Sequence, residues 1–176
     1  MPDYLINKFN KIANMILNSQ GSDKEVAVTH YNYLEYDYKY SDGIVSPILP
    51  PHLDIDNVNN QITLDYHLFT NFDWAVIIEG EPFIGNTNDL LIFNGGEQIH
   101  WRENVILEPG QKSEVITLHY SFLGDNWKFY TDIDPRTKED REKVIYENSK
   151  NLKMVQYMNN WRKERKDFLT KKGLDK

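Results

Sequence analysis

Apolar positions change period along the chain, and the changes divide it. Leu5, Ile6, Phe9, Ile12 and Ile16 recur at helical spacing, so residues 4–19 read as an amphipathic helix, ended by "NSQGSDK". "EVAVTHYNYLEYDYKY" then alternates and is rich in Val and Tyr, the pattern of a strand. "SDGIVSPILPP" follows, a turn and extended lead-in set by its prolines and Gly43. Short strand-like runs come next: "QITLDYHLF", "WAVIIEG", "EPFIG", "DLLIFN", "GEQIHWREN" and "SEVITLHYSF". Turn signals separate them at "TNFD", "GNTND", "NGG" and "EPGQ". Many short strands at close spacing predict a β-sandwich or barrel, mainly β, with no internal repeat. From about Asp134 the pattern returns to charged and helical. Asp134-Pro135 reads as an N-cap and first-turn pair, and Met154, Tyr157, Met158, Trp161 and Phe168 form one apolar face expected to pack on the body.

A chain of 176 residues has room for one real core. We therefore expect a single domain, with 1–133 as the β body plus its N-terminal helix and 134–176 as a helical basic tail. The tail carries 13 Lys+Arg against 8 Asp+Glu, whereas the body carries 7 against 19. The acidic body disfavours phosphate, and the tail has no clean basic block, so a nucleic-acid partner is not expected. The absence of cysteine removes disulfides, thiolate zinc sites and cysteine nucleophiles, and fits a cytoplasmic location. No apolar run approaches the ~20 residues that span a bilayer, and the first helix is too interrupted for a signal-peptide core. No membrane partner is expected. Oligomeric state is not readable.

"PPHLDID" places His52 and Asp54 two apart, on one side of an extended chain. Among five His and the chain's aspartates, about 0.4 such pairs are expected by chance, so the pair needs a third member. His100 qualifies. It follows "GNTNDLLIFNGGEQI", read as a strand, a tight Asn-Gly-Gly turn and a return strand. Two imidazoles and one carboxylate on one face of a metal form the facial triad of non-haem Fe(II) oxygenases, which leaves coordination positions open.

The run "LPPHLDID…QITLDYHLFTNFDWAVIIEGEPF…NDLLIFNGGEQIHWRENV…EVITLHYSF" resembles the 2-oxoglutarate/Fe(II)-dependent oxygenases, closest to short, prolyl-hydroxylase-like members of bacterial and phage type. The resemblance covers roughly residues 26–122. It rests on the order of the elements, the 45 residues between Asp54 and His100, and the "HWRE" context. It implies a double-stranded β-helix, a cupin-like jelly roll. It also implies a dioxygenase that uses Fe(II), O2 and 2-oxoglutarate, with His52, Asp54 and His100 as metal ligands. Succinate and CO2 are released as a C–H bond of a small molecule or protein side chain is hydroxylated.

The resemblance places a basic residue on the last core strand to hold the far carboxylate of 2-oxoglutarate. Here the period of two puts Ser113 at that position, with Lys112 beside it, inward only if a bulge shifts the register. Arg102, two residues after His100, shares its side of a regular strand and offers a carboxylate-binding fork. Both cations stay open as candidates. His67, on the strand after the H-x-D pair, stands where relatives often have a Tyr on 2-oxoglutarate; a satisfied core His is the other reading. Tyr40 is the choice from the tyrosine row for the site mouth, most of that row being structural. His119 is expected to line the cavity, supporting or packing rather than binding, and Asp56 reads as a turn or rim residue. Two other functions remain: a cupin-like metal enzyme without 2-oxoglutarate, although the chain lacks the H-x-H pair of cupins, and a non-catalytic jelly-roll binding module.

Overall fold

A computed structural model describes residues 1–41, 49–54, 60–124 and 150–174, without the side chains of 40, 41, 60 and 61. In chain order it contains α1 (Asp3–Ser19), β1 (Val26–Asp37), the four-residue α2 (Tyr38–Ser41), β2 (Asn60–Thr70), β3 (Ala75–Ile78), β4 (Glu81–Ile84), β5 (Leu90–Phe93), β6 (His100–Arg102), β7 (Lys112–Phe122) and α3 (Leu152–Lys171). The strands form two sheets, ordered β1-β7-β2-β5 and β4-β3-β6. Every strand pairing is antiparallel. His52 adds an isolated bridge to His100, so the lead-in segment flanks β6 on the side away from β3. First and last strands are neighbours, and early and late strands interleave in both sheets. This is a jelly roll, mainly β, with a helix at each end.

The alternation read from the sequence decides which face each side chain takes. One face of the larger sheet packs Val26, Val28, Ile62, Leu64, Leu118 and Tyr120 against Phe9, Ala13 and Leu17 of α1. Those helix residues are four apart, one buried stripe. Each large apolar side chain buried there contributes about 1.5–3 kcal/mol. The smaller sheet does the same on its own outer side. Ala75, Ile77, Ile99 and Trp101 pack on Met154 and Trp161 of α3, with Tyr157 and Met158 alongside. Asn151 caps that helix by accepting from the Met154 amide at 3.1 Å. The Asp134-Pro135 cap lies outside the described residues. With both outer faces covered, the alternate positions must face one another across the interior. These are Thr63, Asp65 and His67 on β2, Ser113, Val115, Thr117 and His119 on β7, and Val76, Ile78, His100 and Arg102 on the smaller sheet.

One local expectation changes. The "NGG" turn does not join a hairpin, because β5 pairs with β2 in one sheet and β6 with β3 in the other. The turn instead carries the chain between sheets. Its polar groups are met locally: the Asn94 carbonyl accepts from the Glu97 and Gln98 amides, and the Gln98 side chain accepts from the Asn94 amide at 2.8 Å.

Candidate metal centre

The centre is built where the lead-in segment meets β6. His52 and His100 exchange backbone hydrogen bonds, each 3.0 Å, which locks the two residues opposite each other. Two residues on, the Asp54 amide donates to the Gly95 carbonyl at 2.7 Å, anchoring the carboxylate to the "NGG" turn. Each imidazole is then oriented by its own backbone. His52 Nδ1 donates to the Pro50 carbonyl at 2.8 Å, and His100 Nδ1 donates to the Gln98 carbonyl at 2.9 Å. A carbonyl only accepts, so both Nδ1 atoms carry the proton, and in the neutral ring Nε2 keeps a free lone pair. Those two Nε2 atoms lie 3.6 Å and 3.5 Å from the same oxygen, Asp54 Oδ1. Such gaps are long for hydrogen bonds but suit atoms sharing one ion. His52, Asp54 and His100 are the metal-competent cluster among the described residues.

The donor chemistry fits a first-row divalent ion: two neutral imidazoles, one hard carboxylate, no thiolate. Ligating His residues characteristically give their other nitrogen to a carbonyl, as both do here. Burial alone would raise the Asp54 pKa, but the facing imidazoles of His100, His119 and His52 outweigh it and hold the carboxyl well below its usual range. Burial alone would lower that of His100, but the Asp54 hydrogen bond and charge, with the Gln98 carbonyl, raise it. A proton taken up at a His Nε2 faces Asp54, and an ion binding there would displace it.

Three further residues complete the centre. Thr63 Oγ1 donates to Asp54 Oδ2 at 2.7 Å, and His119 Nδ1 lies 3.5 Å from the same oxygen. The His119 ring stacks on His30 with centroids 4.1 Å apart and planes within 13°. A Cβ on Gly95 would stand 2.1 Å from Asp54 Oδ2 and 2.3 Å from Thr63 Oγ1, so only glycine fits against that pair. Thr63 and Gly95 carried no sequence signal of their own. The period of two that places His67 inward also places Thr63 inward, and that is the trace that could have found it.

The remaining predicted site residues fall elsewhere. Arg102 is buried on the inner face, its Nη2 3.7 Å from Asp65 Oδ2 and its guanidinium 4.8 Å over the Trp74 ring. Asp65 also accepts from Thr117 Oγ1 at 2.7 Å. His67 is 2% exposed, and neither ring nitrogen has a hydrogen-bond partner among the described residues. Burial, then the Arg102 charge, lower its pKa and keep it neutral. Lys112 is not brought to the triad. It begins β7 partly exposed, 3.0 Å from Glu35 and also paired with Glu114, while its neighbour Ser113 is the buried residue. Among the described side chains of the tyrosine row, Tyr36 reaches inward, edge-on to Trp74 at 4.8 Å. The Tyr40 side chain and Asp56 lie outside the described residues.

No described helix is long and apolar enough to cross a membrane. No family model and no curated protein matches the chain. Among solved structures it is distantly similar to KdgF from Halomonas sp., at 21% identity over 58% of this chain and 81% of that one, with a TM-score of 0.34. The polyketide cyclase RemF from Streptomyces resistomycificus is 14% identical over 80% and 78%, with a TM-score of 0.33. A cupin protein from Bacteroides fragilis is 14% identical over 70% and 86%, with a TM-score of 0.31. The strand order by itself carries the jelly-roll assignment, and on that fold the His-His-Asp cluster is a candidate metal centre.

Proposed function

We propose that this chain is a non-haem Fe(II)- and 2-oxoglutarate-dependent dioxygenase that hydroxylates a C–H bond of a small molecule or protein side chain. The observation that carries the reading is the convergence of two His Nε2 atoms on one Asp54 oxygen, both Nδ1 protons being already committed. Bound there, ferrous iron supplies the chemistry that couples decarboxylation of 2-oxoglutarate by O2 to hydroxylation. The chain's residues supply position and shielding. His52, Asp54 and His100 hold the ion. Val76, Ile78 and Phe93 line the interior beside it with apolar surface that excludes water. Arg102 is the candidate for the far carboxylate of 2-oxoglutarate, because its fork shares an inner strand face with His100. A neutral His67 beside it can donate from one ring nitrogen and accept at the other.

One observation favours the second reading, a cupin-like metal enzyme without 2-oxoglutarate. Both candidate acid-binding cations already face carboxylates, Arg102 at Asp65 and Lys112 at Glu35 and Glu114. Anaerobic Fe(II) with 2-oxoglutarate separates the two. A weak visible charge-transfer band, lost in His100→Ala, together with succinate release on exposure to air, supports the oxygenase. Ferrous ion that binds without a band selects the second reading, and a band that survives His100→Ala sinks the triad.

A further inference from the structure

Asp54 offers its two oxygens to different partners. Oδ1 faces the two Nε2 atoms, at 3.6 Å from His52 and 3.5 Å from His100. Oδ2 faces away, 2.7 Å from the Thr63 hydroxyl and 3.5 Å from His119 Nδ1. Neither partner is free to drift. Thr63 is 1% exposed on β2, in the middle of the larger sheet. His119 is fixed by the neighbouring strand β7 and by its stack on His30. Gly95 closes the remaining side, where a methyl group would overlap both Oδ2 and Oγ1. Its carbonyl holds the Asp54 amide as well.

Resting on the metal centre proposed above, we infer that Thr63 and His119 are positioning residues that clamp Oδ2 and restrict Asp54 to one ligating oxygen. A free carboxylate can turn and present both oxygens to an ion. Turning Asp54 would break the 2.7 Å hydrogen bond from a buried hydroxyl and drive Oδ2 from a cradle shaped to it. The clamp therefore keeps open a coordination position that a bidentate carboxylate would fill. It also aims Oδ1 at the point on which the two imidazoles converge. Thr63 is the stronger member, its contact being shorter than that of His119.

The test uses Co(II) as a spectroscopic probe on the full chain, with affinity read by calorimetry and ligand number by the intensity of the visible d–d bands. Thr63→Val removes the hydroxyl and keeps the shape. It is expected to weaken Co(II) binding about 10- to 100-fold, the usual effect of losing a partner that orients a ligand, and to shift the d–d bands. Thr63→Ser restores the hydroxyl and is expected to bind within about 3-fold of the original chain with an unshifted spectrum. His119→Phe keeps the stack and loses the nitrogen, and falls between the two. Wild-type affinity and spectrum in Thr63→Val overturn the clamp, as does a Thr63→Ser variant as weak as Thr63→Val. His100→Ala separates this failure from that of the centre: if it also binds like the original chain, the metal centre is wrong, and if it alone loses Co(II), only the clamp is.

Discussion

Two polar clusters occupy the inner faces of the same jelly roll, and they are finished differently. In one, the backbone takes the Nδ1 protons of His52 and His100 and leaves both Nε2 lone pairs turned toward Asp54. In the other, the charges answer each other. Arg102 faces Asp65, Asp65 accepts from Thr117, and the guanidinium lies over Trp74 with a long contact from Nη1 to the Trp74 carbonyl at 3.4 Å. Both clusters draw on inward alternation of polar residues, and the three-residue β6 supplies one member to each, His100 and Arg102. What separates a centre built for an ion from a closed pair is where the main chain has already spent the polar atoms.

The largest expected effect breaks the first cluster. His100→Ala should weaken Fe(II) or Co(II) binding more than about 100-fold, beyond the usual cost of an orienting residue, because a ligand itself is gone. His67→Ala, in the second cluster, should leave that affinity unchanged. Calorimetric titration of both variants checks the pair, and equal losses would mean the clusters are not separate. Asp65→Asn comes next. It leaves a buried guanidinium without its counter-charge, and removing one partner of such a pair costs about 3–5 kcal/mol, read as a lower urea midpoint. Under the oxygenase reading the same change frees Arg102 and tightens 2-oxoglutarate, seen as saturation of the charge-transfer band at lower concentration. Weaker binding in Asp65→Asn would remove Arg102 from the acid site.

A subtler difference appears in pH dependence of the metal-free chain. The pKa of His67 is lowered on folding, so the unfolded state takes up its proton first as pH falls. Its contribution to stability is present above the ordinary imidazole value near 6.5 and is lost as pH falls through the lowered value. The pKa of His100 is raised, so its contribution is present below 6.5 and is lost as pH rises through the raised value. Urea midpoints across this range should therefore show His67→Gln flattening the acid side and His100→Gln flattening the alkaline side. The same slope change in both variants would contradict the two environments.

The strands, both helices and the His-His-Asp cluster were legible because each is written in periodicity or in a spaced motif. Period two predicted the inward positions of Ser113 and His119, and a helical stripe predicted the packing of Met154 and Trp161. The hairpin reading of "NGG" failed because a turn's residues specify its tightness and not the sheet to which the next strand goes. The Asp65 partner of Arg102 was hidden for a related reason: the two residues lie on different sheets, and no local pattern reports a contact across the interior. Thr63 and Gly95 were illegible because their roles rest on one hydroxyl and one missing methyl, neither of which alters a pattern of apolar and polar positions.

The smallest expected effect concerns Lys112. It lies seven positions before His119 along β7, about 23 Å at ~3.3 Å per residue, and the register against β1 is regular over that stretch. Against β2 the register shifts opposite Glu114 and Val115, but the extra residue lies in β2, between His67 and Phe69, so β7 itself keeps its alternation: Ser113 takes the inner face, and Lys112 stays with Glu35 and Glu114. Partly exposed pairs of this kind contribute little to stability and are screened by salt. Lys112→Ala should therefore leave both metal affinity and 2-oxoglutarate affinity unchanged, while Arg102→Ala abolishes the second alone. Titration of the charge-transfer band in the two variants reads the contrast directly. A tenfold loss in Lys112→Ala with none in Arg102→Ala would reverse the assignment: the far carboxylate would then be held at the strand's outer end, and the Arg102–Asp65 pair would be a wall of the interior and no part of the site.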